Sequence, residues 1–165
     1  YTLKMFWSLI DISATSDDFL ESYYNTFKLD PRAGYSRIFQ KLLQNSKTFD
    51  EFKTSIVPNS NKNGACMRAP IIGILNNADD VMAVAMTQAK ATHNTVGVIC
   101  SAICIALMSH WNLYDLGDSY EDMFIWCKNK CTEFSKFEKH FDGSVGVNNS
   151  DLGLGMDTAM IMNNY

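Results

Sequence analysis

The chain has 165 residues, 47% hydrophobic, 19% charged and 12% aromatic, the composition of an ordinary globular domain. A chain this long buries on the order of 70% of the surface its unfolded form exposes, so its core needs neither a disulfide framework nor a structural metal. Eighteen acidic against fourteen basic residues give a net charge of -4, which excludes a general attraction to nucleic acid or anionic lipid and leaves room for a local phosphate site.

Helix signals dominate, and no stretch alternates apolar and polar residues for more than a few positions, so an all-α fold is expected. Leu3, Phe6, Trp7 and Ile10 already repeat at helical spacing behind a first residue that is not methionine. Ser16 or Asp17 is positioned to cap a helix carrying Phe19, Leu20, Tyr23 and Tyr24, which Asp30-Pro31 ends near Leu29. Gly34-Tyr35 opens a helix through Ile38, Phe39, Leu42 and Leu43. Thr48 and Glu51 have capping-box spacing, with Phe49, Phe52 and Ile56 as the buried side of the helix that follows. From Val57 to Gly64 the run of Pro, Asn and Ser is a loop, and a helix resumes near Met67.

Asn76 and Asn77 precede Asp79-Asp80 and mark a cap for a long helix ending around Thr92-His93. The next, Thr95 to Ser109, contains the longest apolar run, about fourteen residues to Met108 and short of the roughly 18 to 20 of a membrane span. Its small residues Gly97, Ser101, Ala102 and Ala106 let neighbouring backbones approach, which predicts a central position in the bundle. Ser119 and Asp122 cap a further helix with Met123, Phe124, Trp126, Cys127 and Phe134, and a long Gly, Asn and Ser-rich loop follows from about His140 to Gly155. Beyond it Met156 to Met162 begins another amphipathic segment. Residues 1–165 are therefore expected to be one helical domain that continues past both ends.

Five cysteines without framework spacing, and no stretch that reads as a secretory leader, set the expectation of a reducing, cytoplasmic location. Cys100 with Cys104 and Cys127 with Cys131 stand at i, i+4 without a histidine beside them, which favours packed thiols over zinc. The acidic pairs Asp17-Asp18, Asp79-Asp80 and Glu121-Asp122 all fall at helix starts, where the helix dipole favours negative charge. His110 and His140 have no partner that suggests chemistry. His93 differs, because it lies between two helices just before the amino end of the apolar one, where unpaired N–H groups bind phosphate readily; on spacing alone a structural role for it is the simpler reading.

Two segments taken together point further. Asn63-Gly64-Ala65-Cys66-Met67-Arg68-Ala69-Pro70-Ile71-Ile72-Gly73 resembles the Gly-x-Gly-x-x-Met-Arg block of the ADP-ribosylglycohydrolase family, and Thr92-His93-Asn94 with Gly97 resembles its Thr-His block at the expected interval. Arg32-Ala33-Gly34-Tyr35 is similar to the family's Gly-Tyr turn, and Gly155-Met156-Asp157-Thr158-Ala159 to its late helix beginning with Asp-Thr.

The resemblance implies an all-α orthogonal multi-helix bundle that hydrolyses ADP-ribose from modified side chains, arginine or in some branches serine, with two magnesium ions in the cleft. It implies substrate binding by Asn63, Gly64, Ala65, His93 and Gly97. Asn63 and Gly64 would line the ribose-diphosphate end; His93 and Gly97 would lie near the phosphates or adenosine. Arg68 would be a buried ion-pair partner in preference to a ligand contact. The implied partners are ADP-ribose or an ADP-ribosylated protein, with no nucleic acid or membrane and a monomer as the expected state.

The sequence also departs from the family pattern. Lys62 stands at the first glycine and Cys66 at a small or apolar position, and neither the Thr-Asp-Asp nor the Asp-x-Asp-Thr segment that supplies the metal ligands occurs in residues 1–165. No metal ligand is assigned here, and residues 1–165 alone are expected to be inactive. Two other readings stand beside the hydrolase: a relative that kept the fold and lost the chemistry, to which Lys62 points, and a helical interaction module with a chance resemblance.

Overall fold

A computed structural model describes residues 12–141, with side chains to residue 132. Seven α-helices and one 3-10 segment follow in order: α1 (Ser16–Leu29), α2 (Arg37–Asn45), α3 (Phe49–Ser55), α4 (Gly64–Arg68), the 3-10 segment Ala69–Ile74, α5 (Ala78–Lys90), α6 (Val96–Leu113) and α7 (Tyr120–Phe141). No strand occurs among the described residues, so the fold is all-α as expected. The first helical segment, the late loop past Phe141, and Asp157-Thr158 lie outside the described residues, as do the side chains of Phe134 and His140.

Caps fix where the helices begin, and in α1 the cap is Thr15 in place of Ser16 or Asp17. Its Oγ1 accepts from the Asp18 N–H at 3.3 Å while the Asp18 carboxylate accepts from the Thr15 N–H at 2.7 Å. The Thr15 hydroxyl also donates to that carboxylate at 2.6 Å, and this bond, with the one from the N–H, holds the Asp18 carboxyl below the usual carboxylate range. Ser16 instead donates to the Thr87 carbonyl of α5 at 2.9 Å, tying the two helices. Behind the cap, Phe19, Leu20, Tyr23, Tyr24 and Phe27 are all buried.

Helix α2 starts later than Gly34-Tyr35, because Ser36 has extended backbone (ψ 144°) and is the N-cap. Tyr35 stays in the turn with its ring 5.9 Å from Phe27 and 5.8 Å from Phe39. Leu43 is fully buried, whereas Ile38 is 77% exposed. In α3 the Thr48 hydroxyl accepts from the Glu51 N–H, but the Glu51 carboxylate reaches one residue further back, to the Lys47 N–H at 2.7 Å. Phe52 is fully buried against Tyr24 and Phe39, with ring centroids at 5.5 and 5.8 Å.

Helix α6 is the core element, packed against the 3-10 segment, α4, α5 and α7. It runs 18 residues, longer than the apolar stretch indicated, so by length and composition alone it would cross a membrane. In this fold Val98, Ala102, Ile103, Ala106, Leu107 and Trp111 are instead buried by protein neighbours. Of the four small residues expected at the centre, Ala102 and Ala106 are there, fully buried, while Gly97 is exposed and Ser101 half-buried. The closest backbone approach comes from the other partner: a methyl group at Gly73 would lie 2.6 Å from the His110 nitrogen and 2.8 Å from the Ala106 carbonyl oxygen. Asp115, at φ 51°, ends the helix with the Leu116 N–H donating back to the Trp111 carbonyl.

Because both neighbours at Gly73 are backbone of a packed helix, they cannot yield by rotating a side chain. Gly73→Ala is expected to cost about 1–3 kcal/mol through overpacking, read as a lower urea midpoint at unchanged slope.

Candidate functional site

The loop after α3 and the turn after α5 are dissimilar in composition, yet they pair. Asn59 and His93 form an isolated antiparallel bridge, and the Asn94 N–H donates to the Pro58 carbonyl at 2.6 Å. Helix α5 stops at Lys90, short of Thr92-His93, since the His93 and Thr92 N–H groups both turn back to the Ala89 carbonyl, at 2.8 and 3.1 Å. That tightened turn aims the His93 ring at α4. A methyl on Gly64 would sit 3.1 Å from His93 Cε1, 3.3 Å from its Nε2 and 3.7 Å from Arg68 Nη1. A side chain at residue 64 would therefore press on the imidazole of the other segment, and glycine leaves that space to the ring.

Beneath this contact lies a buried amide. Gln88 of α5 is fully buried; its Nε2 donates to the Ala65 carbonyl at 3.0 Å, and its Oε1 accepts from Arg68 Nε at 3.1 Å and from the Tyr23 hydroxyl at 3.3 Å. The Arg68 guanidinium also stacks on the Tyr23 ring, 4.7 Å from its centroid, and its Nη2 donates to Thr92 Oγ1 at 2.8 Å. Arg68 thus binds neutral groups, and the expected ion pair gives way to an amide, a hydroxyl and an aromatic face. Burial pushes the Tyr23 phenol up against the opposing pull of that guanidinium.

Thr92 carries the order onward. Its Oγ1 lies 2.6 Å from His93 Nδ1 while accepting from Arg68. The assignment that uses the hydroxyl proton has Thr92 donating to Nδ1, which leaves the hydrogen of the neutral imidazole on Nε2, the edge facing Gly64. Burial, and secondarily the Arg68 charge, hold the His93 pKa down at about 4.

Of the residues singled out in the sequence, Asn63, Gly64, Ala65 and His93 belong to this neighbourhood. Asn63 is exposed and begins α4 without a side-chain cap. Ala65 is fully buried and contributes its carbonyl to Gln88. Gly97 stands apart, exposed in the first turn of α6 with nothing within 4 Å of where a methyl would project. Lys62 has no left-handed backbone and its amide is held by Ser60 Oγ at 3.2 Å, so the loop accommodates it. Cys66 is half-buried and packs against the core, and burial pushes its thiol up.

Sequence reasoning passed over Gln88 and Tyr23; the one signal was a lone amide among the apolar residues of α5. His110, for which the sequence suggested no partner, is buried, with Nδ1 3.1 Å from the Gly73 carbonyl oxygen. No three His, Cys, Asp or Glu side chains among the described residues group to hold a metal ion.

An all-α domain in which the block on α4 and the block in the turn after α5 meet over a buried polar network defines the class. The sequence profile of the ADP-ribosylglycohydrolase family matches residues 2–157, and the chain belongs to that family. The reading of a chance resemblance is thereby excluded. Neither the curated proteins nor the solved structures contain a match.

The His93 shift has a definite sign. The unfolded chain binds this proton below about pH 6.5 and the folded one only below about pH 4, so stability is lost as pH falls between those values and levels off below them. At about 1.36 kcal/mol per unit the loss approaches roughly 3 kcal/mol. Urea unfolding at a series of pH values checks it: this part of the slope is expected to be absent in His93→Gln.

Proposed function

We propose that the protein is a hydrolase removing ADP-ribose from modified protein side chains, with Asn63, Gly64 and His93, and separately Gly97 at the start of α6, contributing to the binding of the ADP-ribose moiety, while the buried Ala65 positions α4 through its carbonyl. The observation that carries this reading is the Gly64–His93 contact, which joins the two blocks of the family signature into one surface. The His93 ring takes the space a side chain on residue 64 would fill, so a ligand meets the pair from the exposed Asn63 side, where α4 begins. His93, uncharged above about pH 4, offers Nε2–H as a hydrogen-bond donor and is no proton source at neutral pH. The role of these residues is binding and orientation, which brings the anomeric carbon and a water into reacting geometry.

Two magnesium ions belong to the proposal as the family's cofactor. The described residues do not supply a site for them, so their ligands are expected elsewhere in the polypeptide and no step is derived through them. The proposal also includes a cytoplasmic location, a monomeric state and no nucleic acid or membrane partner. A second reading, a relative that binds ADP-ribose without cleaving it, is favoured by Lys62 at the family's glycine position.

Full-length protein, with magnesium, incubated with ADP-ribosylated arginine and serine peptides is expected to release ADP-ribose. Calorimetry is expected to show binding of free ADP-ribose that weakens tenfold or more in Gly64→Val, since that side chain displaces His93, while circular dichroism stays helical. Binding without release selects the non-catalytic relative; neither binding nor release overturns both readings.

A further inference from the structure

Four of the five cysteines, all but Cys66, lie outside the binding surface just described. Cys100 and Cys104 are one turn apart on α6, and Cys127 and Cys131 one turn apart on α7, so the two rows face each other where these helices pack. Across the interface Cys104 Sγ and Cys131 Sγ are 3.5 Å apart, and none of the five cysteines is in a disulfide. A disulfide needs about 2.05 Å, so the two sulfurs have roughly 1.5 Å to close. The neighbouring Cys127 is fully buried, and burial pushes its thiol up to about 12.

We propose that Cys104 and Cys131 are a redox-active pair that forms a reversible disulfide between α6 and α7, with a peroxide as the oxidant and a cellular thiol as the reductant. In the first step the Cys104 thiolate attacks one peroxide oxygen, the O–O bond breaks, and the departing hydroxide takes up a proton to leave as water; Cys104 becomes a sulfenic acid. In the second the Cys131 sulfur attacks the Cys104 sulfur, the S–O bond breaks, and the oxygen leaves as water with the Cys131 proton. Two thiols thus lose two electrons and two protons, and one hydrogen peroxide becomes two waters.

The division of roles follows from the surroundings. Cys104 is half-buried and Cys131 is 9% exposed. The hydrogen bond from Cys131 holds the Cys104 thiol below the usual range, while the same bond and burial push Cys131 up, so Cys104 is the better nucleophile. A metal is not the better occupant, since no third ligand joins the pair among the described residues.

Trypsin cutting after Lys90, Lys128, Lys130 and Lys136 puts Cys104 in peptide 91–128 and Cys131 in peptide 131–136. Reduced full-length protein is treated with hydrogen peroxide, free thiols are blocked with iodoacetamide, and the unreduced digest is mapped by mass spectrometry. The expected product is these two peptides joined through Cys104 and Cys131, with Cys100 and Cys127 alkylated, and it disappears on reduction with dithiothreitol. Cys104→Ser and Cys131→Ser are each expected to abolish it, and Cys127→Ser to leave it. Complete alkylation of the oxidised wild type, or a cross-link mapped to Cys100 or Cys127, overturns the proposal whether or not the variants fold.

Discussion

The side-chain amide of Gln88 is the constraint on which the site depends. It is fully buried on α5 and holds α4 through the Ala65 carbonyl, Arg68 through its Nε and α1 through the Tyr23 hydroxyl. A buried polar group without a partner costs about 1–3 kcal/mol, so removing this one amide would strand three groups on two other helices at once. Hydrophobic burial brings the helices together. It does not choose their rotation or sliding, and the directional bonds of Gln88 do.

The choice of a neutral amide has an electrostatic side. A carboxylate at position 88 would satisfy the same Arg68 Nε and cancel the guanidinium charge. With Gln88, Thr92 and the Tyr23 ring as partners, that charge is undiminished and helps keep the His93 ring neutral. Arg68 therefore places α4 against α5 and also adds to the burial that keeps His93 neutral. The hydroxyl of Thr92 transmits orientation between them and fixes which imidazole nitrogen faces Gly64.

Periodicity made the helices and the buried faces of α1 and α6 legible, because apolar spacing reports directly on which residues leave water. Cap positions were legible to within a residue: Thr15, Ser16 and Asp17 all have the right chemistry, and only the folded backbone selects among them. The small residues of α6 were a poorer guide. Gly97 and Ser101 resemble Ala102 and Ala106 in size, but the partner that comes close, Gly73, lies on a separate segment and selects one side only. The two signature blocks were recognisable in the chain, whereas their contact depends on the Pro58–Asn94 and Asn59–His93 pairing, for which loop composition carries no register. Likewise i, i+4 spacing put each cysteine pair on one face, but which faces meet is decided by how α7 packs on α6.

The spacing of the Gln88 partners along the chain has a consequence for how the protein is made. Ala65 and Arg68 are 23 and 20 residues from Gln88, and Arg68 is 24 from Thr92, but Tyr23 is 65 residues away. Closing the longer loop costs more chain entropy, so the contacts among α4, α5 and the turn after it are the easier ones to form first. On the ribosome α1 is synthesised early. Its aromatic face then has no α5 to dock on until Gln88 has emerged, and in that interval Phe19, Tyr23 and Phe27 are the surface a nascent-chain chaperone would meet.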